Sequence, residues 1–223
     1  MQITHSDRWL AVGLEAQFEP FSSQPAVLDG YGVAVWRGPT GLVQVWEDRC
    51  PHRGMRLSFG FVKGDRLSCM YHGWSFQPDG HCRRIPAHPD LEPPKTICAK
   101  TFAVTIFRGI VSANLAAAPE APPPVPDESA WAPVRSIYVN RSIEVVRARA
   151  AAGAGFGPTA CDLGAGVYEV ATDASGRVTL ALQPAEPGRT AMHVTSELTG
   201  SAGERRLDIA RLLVSLRRDL EAH

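Results

Sequence analysis

The chain has 223 residues, 44% of them hydrophobic, with 23 basic and 23 acidic side chains. That length holds one large domain or two small ones around a real core. A formal charge of zero without basic runs excludes a field that would draw nucleic acid or an anionic membrane, and no apolar run is long enough to span one. Met1 to Leu10 is interrupted by His5, Asp7 and Arg8 and has no apolar leader core, so a cytoplasmic location is expected.

The first fifty residues read as short strands. Val33–Trp36 and Leu42–Trp46 flank Arg37-Gly38-Pro39-Thr40-Gly41, a hairpin signal with β-rich arms. Two short loops follow, Cys50-Pro51-His52-Arg53-Gly54 and Cys69-Met70-Tyr71-His72-Gly73-Trp74. Gly54, Gly60, Gly64, Gly73 and Gly80 punctuate this region, as tight loops around an inorganic core require. Thr101 to Asn114, β-branched and aromatic, closes a small all-β unit. Ala116 to Asp127 then carries five prolines in twelve residues, a semi-rigid connector that no sheet can continue.

Beyond it, Val134 to Arg149 again reads as strand, at Ser136–Val139 and Ile143–Val146. Ala148 to Gly166 is alanine and glycine rich and is expected to be a flexible connection. Val167–Thr172, an Asp173-Ala174-Ser175-Gly176 turn, Arg177–Leu182 and Thr190–Leu198 predict an antiparallel meander. Ser201-Ala202-Gly203-Glu204 is a capping-box signature, opening a helix whose Leu207, Ala210, Leu213, Val214 and Leu220 share a face. The expected fold is therefore mainly β, or α+β. An all-β domain occupies 1–116, a Pro-rich linker 117–127, and a sheet with a C-terminal helix (202–221) occupies 128–223. There are no internal repeats.

Five cysteines are an odd number with no disulfide framework, which suits thiolate–metal chemistry in a reducing compartment. Cys82, Cys98 and Cys161 have no partner at ligand spacing and read as small buried hydrophobes. Cys50 with His52 and Cys69 with His72 form the ligand set of a Rieske [2Fe–2S] centre, in which one iron takes two thiolates and the other two imidazoles. A tetrahedral zinc ion accepts the same donors. Against zinc, each loop gives one sulfur and one nitrogen, the gap in Cys50-Pro51-His52 is short for one ion, and a glycine follows each histidine closely.

The run Glu47-Asp48-Arg49-Cys50-Pro51-His52-Arg53-Gly54, then Cys69-Met70-Tyr71-His72-Gly73-Trp74-Ser75-Phe76, with Gly80 and Ile85-Pro86, closely resembles the N-terminal domain of Rieske non-haem iron oxygenases. These are aromatic-ring-hydroxylating and demethylating enzymes, and the likeness covers about residues 5–115. It implies that Cys50 and Cys69 hold an inner iron, and His52 and His72 an outer one near the surface. Respiratory Rieske proteins carry an extra cysteine in each ligand loop and hydroxyl donors to the cluster. This sequence has Met55 and Met70, and Trp74 and Phe76, near those positions. Fewer donors to sulfur place the expected potential toward the low end of the Rieske range of about −150 to +300 mV. Trp74 reads as a cover over the cluster, Arg53 as a surface or partner-orienting arginine, and His81 and His88 as loop histidines.

The resemblance also implies a mononuclear iron on two histidines and a carboxylate, from a D-x-x-H-x-x-x-x-H element. Nothing here matches it. After His88 only His193 and His223 remain, and no histidine accompanies Asp162. Yet Gly166 to Glu221 resembles the end of the family's START-like catalytic domain, so the second unit is expected to be a shortened remnant without that iron. The sequence thus predicts an accessory subunit passing single electrons from a reductase or ferredoxin toward the iron of a catalytic α-type subunit, in a hetero-oligomer. A free-standing Rieske ferredoxin-type carrier and a structural or regulatory pseudo-subunit are the alternatives.

Overall fold

The computed structural model describes residues 8–122, 130–158, 160–172, 176–198 and 202–222, without the side chains of 202–205. The first unit contains β1 (Trp9–Leu14), β2 (Ser22–Leu28), β3 (Tyr31–Arg37), β4 (Val43–Glu47), β5 (Phe61–Val62), β6 (Leu67–Ser68), β7 (Ser75–Phe76), β8 (Cys82–Arg84), β9 (Thr101–Phe107) and β10 (Ile110–Asn114). One antiparallel sheet runs β1-β10-β9-β4-β3-β2 and a smaller one runs β5-β6-β7-β8. The period-2 alternation of a strand puts Val33, Val35, Val43 and Val45 into one core. Ala34, Trp36 and Trp46 lie on the other face, in a core shared with the small sheet and the two loop cysteines. Both faces of β3 and β4 are therefore buried, which explains their near-continuous apolar sequence.

The second unit contains β11 (Trp131–Val139), α1 (Ile143–Ala151), β12 (Ala160–Gly164), β13 (Val167–Thr172), β14 (Gly176–Glu186), β15 (Arg189–Glu197) and α2 (Ala202–Ala222). Its sheet, ordered β11-β15-β14-β13-β12, shares one core with both helices. The β-rich, α+β expectation holds. Several local readings need correction. Ile143–Val146 begins a helix, not a strand: Val146 and Ala150, one turn apart, are buried together, and the following alanines and arginines favour helix over the β-branched start. Residues 148–158 and 160–166 are built rather than loose, since Ala150, Ala154 and Phe156 plug the core and β12 pairs with β13. The buried stripe of α2 is Ile209, Leu213, Leu216 and Leu220, whereas Leu207 is 61% and Val214 44% exposed. Ser201, 123–129 and the 173–175 part of the predicted turn lie outside the described residues. Cys82 is buried as expected, but Cys98 and Cys161 are exposed. Cys98 pairs with His81 in an isolated surface bridge, and Cys161 sits on the edge strand β12.

The two units are pinned by Arg108, in the turn between β9 and β10. Its side chain is 4% exposed, ion-paired to Glu169 at 2.7 Å, and donates to Thr179 Oγ at 3.0 Å. The guanidinium also lies 4.2 Å from the Trp131 ring centroid. Nearby, Ala11, Leu14 and Ile110 pack against Ala181. Replacing Arg108 with Met should cost about 2 kcal/mol, because the partly buried Glu169 carboxylate keeps Arg177 at 3.2 Å but loses its closer partner. The denaturation midpoint should fall with little change in slope.

A second junction runs through His193, which is 2% exposed. Gln183 donates its amide to the Val27 carbonyl, which leaves its oxygen facing His193 Nε2 at 2.9 Å. The ring therefore carries its hydrogen on Nε2 and accepts from Ser136 Oγ on Nδ1, at 2.7 Å. Burial pushes this imidazole down to about 4. The folded protein thus holds it neutral while the unfolded chain protonates near pH 6.5. Its contribution to stability is complete above pH 6.5 and is lost as pH falls toward 4, about 3 kcal/mol in all. Urea melts from pH 7 to pH 4.5 should show a shallower decline in His193→Gln than in the wild type.

Candidate metal centre

The two ligand loops share one construction. Cys50 N–H donates to the Met55 carbonyl and Gly54 N–H to the Cys50 carbonyl, both at 2.8 Å. Cys69 N–H donates to the Trp74 carbonyl and Gly73 N–H to the Cys69 carbonyl, both at 2.9 Å. Each loop thus turns back over five residues, with its glycine four positions after the cysteine. Gly54 has φ +72° and Gly73 φ +68°, in the left-handed region where a side chain is strained. Within equal frames the histidine stands second after the cysteine in one loop and third in the other. That difference is why the sequence shows unequal spacings. The second loop is carried by the β6–β7 hairpin, with Ser68 opposite Ser75.

The frames sort the donors by depth. Cys50 and Cys69 are each 2% exposed, packed among Trp36, Trp46, Leu57, Leu67 and Phe76. His52 is half-buried and His72 exposed, with ring centroids 4.7 Å apart. Trp74, from the second loop, stacks on His52 of the first at 4.0 Å and 5° between planes. Tyr71 lies 3.9 Å from the His72 ring. Four rings therefore form one array across the two loops, and Trp74 covers His52 while also packing against the core that holds the two cysteines.

This arrangement could hold two bridged irons, with sulfur within and nitrogen without. Among the described residues, no group of three or more His, Cys, Asp or Glu side chains converges as on a single ion. Burial pushes the Cys50 thiol up to about 11, opposed by the backbone N–H of His52. Burial, then the neighbouring His72 and Arg53, pushes the His52 ring down, which favours the neutral imidazole that a metal needs. The indole N–H groups of Trp36 and Trp46, in the same shell as the cysteines, have no acceptor within the protein. Phe76 is fully buried, next to the buried Ser75.

One contributor to the site was not read from the sequence. Asp48, with its side chain 3% exposed, accepts from Ser58 N–H and Ser58 Oγ at 2.7 Å and from Arg56 Nε at 2.8 Å. It clamps both ends of the first ligand loop. A carboxylate beside a ligand loop reads as solvated until its partners, across the loop, are seen to bury it. His81 faces Asp79 at 3.4 Å, His88 is exposed, and neither approaches a ligand arrangement.

The family described as Rieske [2Fe-2S] domain matches residues 8–102. Those residues are a Rieske [2Fe–2S] domain. Oxidoreductase NdmD of Pseudomonas putida is 40% identical over 105 residues, 47% of this chain and 18% of that protein. The 3-chlorobenzoate-3,4-dioxygenase oxygenase subunit of Comamonas testosteroni is 36% identical over 86 residues, 38% of this chain and 20% of that protein. The chain spans less than a third of the length of such curated relatives. Dicamba monooxygenase bound to dicamba superposes with a TM-score of 0.74 over 97% of this chain and 86% of its own, at 16% identity. Pseudomonas putida NdmA does so with 0.74 over 97% and 81%, at 17%. At such identity the likeness is one of fold, and it extends through the second unit. The domain implies a [2Fe–2S] cluster, in a chain related to oxygenase components.

Asp48→Ala should lower the melting midpoint by several degrees, since it leaves the buried Ser58 N–H unpaired at a cost of about 1–3 kcal/mol. It should also lower the iron content of the purified protein, while the distant Asp208→Ala changes neither.

Proposed function

We propose that Cys50 and Cys69 hold one iron and His52 and His72 the other, and that the protein is a Rieske electron-transfer subunit of a multicomponent oxygenase. In this reading it takes single electrons from a reductase or ferredoxin and delivers them toward the mononuclear iron of a catalytic partner subunit. The observation that carries it is the depth gradient: sulfurs enclosed, imidazoles at the surface within one ring array. When bound, the cluster supplies a one-electron couple. The apolar shell keeps water from the sulfur end, and the His52 and His72 rings present the exchange edge to a partner. Trp74 and Tyr71 hold those rings in place.

The second unit supports delivery to another chain. Its described histidine, His193, has both ring nitrogens engaged and is enclosed, so it offers no ligand to a second iron. Helix α2 leaves Leu207 and Val214, seven residues apart on one face, exposed, and joining a catalytic subunit would cover them. In this scheme 1–116 is the redox domain, 117–127 the linker and 128–223 the assembly domain.

Anaerobic reconstitution should give two irons and two acid-labile sulfides per chain, with a potential toward the low end of the range, near about −150 mV. Cys50→Ser should abolish both. With NADH, a reductase and O₂ the protein alone should form no oxygenated product, and adding a catalytic subunit should restore turnover. Product formation without a second oxygenase chain would falsify the delivery reading.

A further inference from the structure

We propose that a cationic cleft beside the second ligand loop is the docking surface for an acidic electron-donor protein, a partner that deepens the function proposed above and rests on it. The cleft has a volume of about 250 Å³ and is lined by Lys63, Arg66 and Arg84 with Phe61, Ser68 and Gly73. Gly73 follows His72 directly, so the cations stand at the rim of the outer histidine. Lys63, Arg66 and Arg84 are all exposed, and among the described residues none forms an ion pair.

The charge is local. Residues 49–84 contain seven Lys and Arg against two Asp, although the whole chain is neutral. Both aspartates have other contacts: Asp65 accepts from Thr40 Oγ at 2.8 Å, and Asp79 faces His81. Arg56 is neutralised by Asp48 at 2.8 Å and the two aspartates keep their charge, but the stretch stays net positive over the ligand loops, where no fold requirement places it. Exposed apolar groups lie within the same stretch, with Phe61 and Met70 each 54% and Tyr71 60% exposed. Apolar contacts ringed by one sign of charge suit a short-lived protein encounter, in which the charge steers and the apolar centre seats. A small inorganic anion would have no use for that apolar area. Carboxylates on a donor's surface would pair with the three cations and bring its redox centre to the His72 side.

The test uses the full-length reconstituted protein and, as donor, a net-negative [2Fe–2S] ferredoxin kept reduced by its NADPH-dependent reductase. Stopped-flow absorbance reads reduction of the Rieske cluster. For the wild type, raising ionic strength from about 0.01 M to about 0.15 M should slow reduction about tenfold. The triple variant Lys63→Gln, Arg66→Gln, Arg84→Gln should be about tenfold slower at low salt and nearly insensitive to salt. Reduction by dithionite should be the same in both, which separates docking from damage to the cluster. An unchanged rate and salt dependence in the variant would overturn the proposal, as would a wild type that dithionite reduces but the ferredoxin does not. A wild type that yields no dithionite-reducible cluster would sink the functional reading itself.

Discussion

Holding two sulfurs dry and two imidazoles wet, a few ångströms apart, is the constraint on which the rest of this structure depends. It is met by two five-residue frames, each tied by a cysteine N–H at one end and a glycine N–H at the other. Neither frame has regular secondary structure of its own, so each must be fastened from outside. The β6–β7 hairpin fastens one, and buried Asp48 fastens the other through Ser58 and Arg56. Rings reaching across the loops then lock the two frames to each other.

The sandwich beneath explains why that depth is possible in a small domain. Because β3 and β4 are covered on both faces, their alternating side chains serve two cores at once. Trp36 and Trp46, edge to face at 5.0 Å, form a floor large enough to keep water from the cysteines. The second unit adds no wall to this chamber. Its contribution is rigid attachment, through Arg108 and through the chain of groups from Val27 to Ser136 by way of Gln183 and His193. Any partner meeting α2 therefore meets it at a fixed orientation to the histidine edge, which an electron path between subunits needs.

Legibility in the sequence followed the range of the interactions. The candidate ligands were readable because Cys-x-His and Cys-x-x-His are contiguous, and few other chemistries use that pairing. The strands of the meander were readable because period-2 patterning is local. Ile143–Val146 misled because its β-branched start is outweighed by one buried helical stripe, Val146 with Ala150, set by the sheet it meets. On α2 two apolar stripes compete, and only contact with the sheet selects Ile209 and Leu216 over Leu207 and Val214.

The sequence by itself determined which residues are the candidate donors, the β-rich class and the lack, within these 223 residues, of a second histidine pair of the expected spacing, since these depend on which residues neighbour one another along the chain. Only the tertiary structure decided that the unequal spacings occupy equal frames, that Asp48 is buried, that Trp74 lies on His52 and that three cations gather beside Gly73. Each of those facts joins residues from different strands or loops. Burial and charge crowding arise from approach in space, which spacing along a chain does not encode.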